Sequence, residues 1–171
     1  PRSLSLPTSG YSLCMRPSLE RLFGEYYAYH TDPTNVAIHK VAIPLIVYHV
    51  LAMLDWVPLG LELAGYSLTL AHPVFALAAL WYIYMSPRLA LVMVPFSALC
   101  LYVGRLSSTE AVIGVALLAW VAQLVGHLRY EGRAPAFKDN LVQLLVGPVY
   151  FIATSLGWWA PSSAEHKRST S

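Results

Sequence analysis

Charge is what this sequence has least of. Only 12% of its 171 residues are Asp, Glu, Lys or Arg, about half the share of an ordinary soluble domain. A chain so poor in charge cannot cover a normal water-facing surface. Cysteine is also scarce: Cys14 and Cys100 stand far apart with no C-x-x-C pair. That excludes a disulfide framework and leaves both thiols as small apolar fillers. The eleven basic residues form no run, so nothing could track a phosphate backbone, and nucleic-acid binding is not expected despite a pI of 8.7. There is no glycine-rich phosphate loop, no G-x-S-x-G elbow and no H-E-x-x-H. Serine hydrolase chemistry and nucleotide cofactors are therefore without support.

What is abundant is apolar surface. Hydrophobic residues make up 57% of the chain and the mean hydropathy is +0.54, which excludes intrinsic disorder and points to an integral, multi-pass membrane protein. Five apolar stretches follow one another: Val36–Leu54, Gly65–Met85, Leu89–Gly104, Ala111–Gly126 and Leu141–Trp159. A span needs about 20 residues, with ~17 a working minimum, so the third and fourth are short and either tilt or insert halfway. The alternative is a soluble all-α protein with buried helices. Ahead of them, Ser18–His30 reads as an amphipathic helix, with Leu19, Leu22, Phe23 and Tyr26 on one face and Glu20, Arg21 and Glu25 on the other. Such a helix suits the membrane interface. The expected fold is thus all-α: a membrane bundle of about five apolar helices behind an interfacial helix. Residues 18–160 form its single domain, 1–17 a flexible segment in which Met15 is a candidate start, and 161–171 a flexible tail.

Local signals place the helix ends. Asp32 then Pro33 reads as an N-cap and first helical position, and Pro44 should kink the helix that follows. Gly132 and Pro135 end the fourth long helix, and Asn140 with Gln143 has the spacing of a capping box. Trp56, Trp158 and Trp159 read as interfacial anchors. If all five stretches span, Arg2, Arg16, Arg21, Lys40, Arg88, Arg129, Arg133 and Lys138 share one face, opposed by Arg105 and the tail's Lys167 and Arg168. The richer face should be cytoplasmic, in a bacterial inner membrane or, in a eukaryote, the endoplasmic reticulum.

That same face collects the residues able to do chemistry. Asn35 and His39 share one helix face, with His30 just before the turn; His127 and Glu131 share another at i, i+4, a spacing at which a helix presents two ligands to one metal. Imidazole is the commonest side-chain metal ligand, and two polar blocks in so apolar a chain meet at one depth. The alternative is that these histidines cap helix ends and that Glu131 pairs with Arg129 or Arg133. His49 is too deep to join them and reads as a hydrogen-bonded bundle residue, His72 belongs to the opposite face, and His166 to the tail.

The two blocks resemble a known family. Tyr29-His30, Pro33-Thr34-Asn35-Val36, Ile38-His39 and Pro44-Leu45, with Val125-Gly126-His127, Glu131-Gly132-Arg133, Pro135 and Asp139-Asn140-Leu141-Val142-Gln143, are similar to the fungal and bacterial 2-hydroxy-fatty-acid dioxygenases of phytosphingosine breakdown. The resemblance covers about Leu19 to Leu156. The fungal form carries a second histidine where this chain has Thr31, and no role of that residue transfers. The resemblance implies a multi-pass membrane enzyme that needs Fe²⁺ and removes one carbon from a 2-hydroxy fatty acid. It also implies that His30, His39 and His127 are essential. Glu131 as a fourth ligand is an inference from its spacing alone. Asn35, Asp139 and Asn140 are candidates for orienting the metal-bound rings, although Asn140 competes as a helix cap. Arg133 or Lys40 is the candidate partner of the substrate carboxylate. The reaction RCH(OH)COOH + O₂ → RCOOH + CO₂ + H₂O balances, with all four electrons coming from the substrate, so no organic cosubstrate is required. The 2-hydroxyl and carboxylate are expected to chelate the iron while the acyl chain runs between helices into the bilayer. A zinc-dependent membrane hydrolase built on the same ligands and a non-catalytic lipid carrier are the competing readings.

Overall fold

A computed structural model describes residues 15–132 and 141–162. Arg133, Lys138, Asp139, Asn140 and His166, together with Cys14 and the rest of both termini, lie outside those residues. Helix α1 (Pro17–Tyr27) opens with proline at its first position and buries Leu19, Leu22, Phe23 and Tyr26. It stops before His30, and its apolar stripe is covered by α6 (Gln143–Ser155), the last helix. Phe23 meets Tyr150 and Trp159 edge-on, each at a centroid separation of 5.5 Å. The helix read as interfacial therefore turns its apolar side to protein. Two expected anchors are also used in packing, since Trp158 lies 4.0 Å under the Arg88 guanidinium.

Helix α2 (Pro33–Asp55) starts as its residues dictate. The Asp32 carboxylate accepts from the backbone N–H of Thr34 (2.7 Å) and Asn35 (3.1 Å), and Pro33 takes the first position. It continues through Pro44 and is the central helix, packed by α4 (Pro87–Leu106), α5 (Thr109–Val125), α3 (Ala71–Met85) and α6. Gly104 brings α4 against Ala52 so closely that a Cβ there would stand 2.7 Å from the Ala52 Cβ. Ser86 and Ser108 cap α4 and α5 by accepting from Leu89 N–H and Ala111 N–H. Past Val125 the fifth helix widens into one π-helical turn, Gly126–Glu131, ended by Gly132 in the left-handed region at φ 65°. Gln143 is the first residue of α6 rather than the third, so it does not occupy the expected capping-box position.

Two readings of the apolar stretches need correction. The second does not begin as a helix: Tyr66–Thr69 (β2) pairs antiparallel with Pro58–Leu63 (β1) in an exposed hairpin, with Leu61 opposite Leu68 and Leu63 opposite Tyr66. Ala64 and Gly65, both at positive φ, make its turn, which leaves α3 only 15 residues. The stretches expected to be short are instead the long ones. Pro33–Asp55 (23 residues), Pro87–Leu106 (20) and Thr109–Glu131 (23) are the helices long and apolar enough to cross a membrane, whereas α3 and α6 fall below that length. Polar partners extend them: Arg105, in the last turn of α4, forms a two-pronged ion pair with Asp55 at 2.8 and 3.0 Å. Thr69 donates its hydroxyl to the same carboxylate and its N–H to His72. This cluster closes the end of the bundle remote from His39.

Candidate metal centre

Three buried imidazoles converge where α2 begins. His30 comes from the turn between α1 and α2, His39 from the second turn of α2, and His127 from the π-helical turn. Their ring centroids lie 4.7, 4.7 and 4.9 Å apart, with interplanar angles of 74° to 87°. Each offers a nitrogen within 4.8 Å of the others, and among the described residues these three are the group able to hold a metal ion. Two of the rings are oriented by main-chain carbonyls. His30 Nδ1–H donates to Tyr26 O at 2.8 Å, and His39 Nδ1–H donates to Asn35 O at 2.9 Å. With those protons assigned to Nδ1, the Nε2 of His39 is left as a lone pair facing His127 Nε2 at 3.0 Å. A carbonyl behind each ring is the usual support of a metal-bound imidazole. Three imidazoles on one metal at about 2.1 Å hold their centroids ~4.6 Å apart at right angles and ~5.2 Å apart at tetrahedral angles. The observed triangle falls between the two, so the donor set fits a metal.

Around the rings, Tyr26 stacks on His30 at 3.9 Å, only 8° from parallel, and Phe151 packs against both His30 and His39. Burial and the neighbouring Tyr150 raise the Tyr26 phenol well above its ordinary pKa, so it is a neutral wall. Glu131 is one turn past His127, yet its carboxylate is engaged elsewhere. It accepts from Thr31 N–H (2.8 Å), Asp32 N–H (3.0 Å), the Thr31 hydroxyl (3.1 Å) and Asn35 Nδ2 (3.1 Å). A half-buried anion just ahead of the N-terminus of α2 also complements the helix dipole. The Asn35 side chain thus belongs to this tie, and its main-chain carbonyl is what orients His39.

Gly126, next to His127, permits the approach. A Cβ there would collide with the Asn35 carboxamide and stand 3.4 Å from His39 Cε1. The π-helical turn, a feature often found at functional sites, leaves no pattern in the sequence, and neither does the stacked Tyr26. Of the other candidates, Lys40 is exposed on α2 and lines a groove with Val92, Phe96 and Ile152, not the cavity beside His30 and His127. Arg133, Asp139 and Asn140 lie outside the described residues. His49 accepts from Trp120 Nε1–H at 3.0 Å and faces Leu45 O at 2.9 Å, as a bundle residue should; His72 sits at the far end with Asp55.

A cavity of about 40 Å³ adjoins His30 and His127 and is lined further by Tyr26, Gln123, Gln143 and Trp120. Ile46, Val47, Trp120 and Leu144 are shared with a larger apolar groove of about 300 Å³ that continues along α2 and α3.

Residues 17–158 match the family model described as 2-hydroxy-palmitic acid dioxygenase Mpo1-like. The 2-hydroxy-palmitic acid dioxygenase MPO1 of Saccharomyces cerevisiae is 34% identical over 138 residues, 78% of this chain and 76% of the yeast protein. The chain belongs to the Mpo1-like family. No solved structure matches it. The span matched by the family runs from the start of α1 to just past α6, so in this Mpo1-like protein all three clustered histidines fall within it.

Proposed function

We propose that this chain is an Fe(II)-dependent dioxygenase that shortens 2-hydroxy fatty acids by one carbon, using O₂ and no organic cosubstrate. The observation that carries the reading is the convergence of His30, His39 and His127, from three separate elements, in a member of a family described by that substrate. These three residues would hold the iron. Bound there, iron supplies the redox chemistry that lets O₂ accept electrons from the substrate, for which three neutral nitrogen ligands with positions left over are suited. The protein does the rest. The carbonyls of Tyr26 and Asn35 keep the ring nitrogens turned to one point, and Glu131 ties the His30 turn to the fifth helix. Tyr26 and Phe151 keep bulk water from the rings. The apolar groove beside the cavity takes the acyl chain, so the head reaches the site while the tail stays in an apolar phase. The excess of basic residues toward the histidine end, Arg129, Arg88, Arg21 and Lys40, supports reading that end as the cytoplasmic one.

The test is metal-dependent oxygen uptake by the purified, lipid-reconstituted protein. Iron near one per chain should accompany O₂ consumption with 2-hydroxypalmitate and release of CO₂ and the acid one carbon shorter. A chelator should abolish this, and Fe²⁺ but not Zn²⁺ should restore it. His39→Ala should lose the metal while His72→Ala keeps it. Zinc as the resident metal with no oxygen uptake would replace the reading with a hydrolase, and absence of bound metal would replace it with a lipid carrier.

A further inference from the structure

The cavity beside the histidines has two polar walls to which the metal reading gives no task. Gln123, on α5 one turn before His127, and Gln143, the first residue of α6, are each more than nine-tenths buried and both line it. Neither side-chain oxygen Oε1 has a hydrogen-bond partner among the described residues. Buried amides without partners are rare, because the loss of hydration is not repaid, and each one calls for a reason. Two that line the same small space share one reason. The space has room for about three water-sized groups, and it shares Ile46, Val47, Trp120 and Leu144 with the apolar groove. It is therefore a polar-ended pocket beside an apolar groove, and its polar end abuts His30 and His127.

We propose that Gln123 and Gln143 bind the 2-hydroxy-carboxylate head of the substrate and make the site selective for 2-hydroxy over unsubstituted fatty acids. The proposal rests on the dioxygenase reading given above. An amide presents an acceptor and donors side by side. Its carbonyl takes the proton of the 2-hydroxyl and its N–H groups meet a carboxylate oxygen. A 2-hydroxy acid is the complement, since it carries a donor one carbon from its acceptors; an unsubstituted acid cannot satisfy the acceptor half. Sites built to bond a substrate hydroxyl reject the analogue lacking it, because a buried polar group is then left unpaired. An uncharged pair also suits a pocket this apolar, where a lysine or arginine would be costly to bury when no substrate is present. Lys40, which lines a separate groove, is not required for head recognition.

The experiment measures equilibrium binding of 2-hydroxypalmitate and of palmitate to the iron-loaded, lipid-reconstituted chain under anaerobic conditions, where no turnover occurs. Gln123→Met and Gln143→Met keep shape and remove the amide. Each should bind 2-hydroxypalmitate about tenfold more weakly and palmitate by a smaller factor, since palmitate loses only the contact to its carboxylate. The preference for the hydroxy acid then shrinks, with iron stoichiometry unchanged. Gln123→Glu and Gln143→Glu should weaken both ligands, because an added carboxylate faces the substrate's own. A parental affinity ratio in both Met variants overturns the proposal. If the Met variants do not fold, undiminished binding by the Glu variants overturns it equally. A parent protein that does not distinguish the two acids overturns this proposal and leaves the dioxygenase reading to the oxygen-uptake test, whereas a parent that binds neither acid removes both.

Discussion

A single methyl group would disturb the centre. Gly126→Ala places its Cβ against the Asn35 carboxamide and near the His39 ring, and that carboxamide, fully buried and bonded to Glu131, would have to shift. We expect a loss of roughly 1–3 kcal/mol of stability and less metal per chain, read by thermal unfolding and metal analysis. Gly114→Ala, inside α5 with nothing within 4 Å, should leave the metal content unchanged and raise stability slightly, by up to about 1 kcal/mol. Glu131 separates a ligand from a tether. Removing its carboxylate strands the N–H groups of Thr31 and Asp32 together with the Asn35 amide. Glu131→Ala should therefore cost about 1–3 kcal/mol and leave the metal stoichiometry near parental, whereas loss of metal with stability intact would make it a ligand. The identities of His30, His39 and His127 were readable because they are polar islands in apolar sequence. The partners of Glu131 were not, since half of them are backbone N–H groups, which every residue but proline carries, and all lie about 100 residues away in sequence.

Helices whose limits are set by local chemistry were legible, and those set by distant partners were not. Asp32-Pro33 announces the start of α2 because cap and first turn are neighbours in sequence. The hairpin at Pro58–Thr69 is apolar enough to read as part of a helix, and only the paired strands and the positive-φ turn at Ala64-Gly65 decide otherwise. The lengths of α4 and of the fifth helix with its π-helical turn were underestimated for a related reason: Arg105 and the polar block His127–Glu131 lie just past the apolar windows, yet Arg105 and Glu131 have partners about 50 and 100 residues away and both belong to the helices. The amphipathic stripe of α1 was plain, but periodicity does not say what covers it. Since α6 does, Phe23→Ala should cost about 3–5 kcal/mol, measured by denaturant unfolding in detergent. Because α1 ends just before His30, the same variant should lower metal affinity without touching a ligand.

The bundle is fastened differently at its two ends. At one, Asp55, Arg105, Thr69 and His72 are joined by an ion pair and hydrogen bonds complete within the chain itself. At the other, three imidazoles from three elements face a common point, and a cation there would act as a rivet through the turn after α1, the head of α2 and the end of the fifth helix. Metal bound only to the folded form raises the unfolding temperature by mass action, so chelation should lower it, and Fe²⁺ should restore it in a concentration-dependent way. Amide hydrogen exchange should show where the loosening falls. Protection should drop around residues 28–35 and 124–131 and persist around Asp55 and Arg105. On the proposed iron reading, loss of the cation would then leave a protein that is unclasped at its working end and still shut at the other, ready to close again when the metal returns.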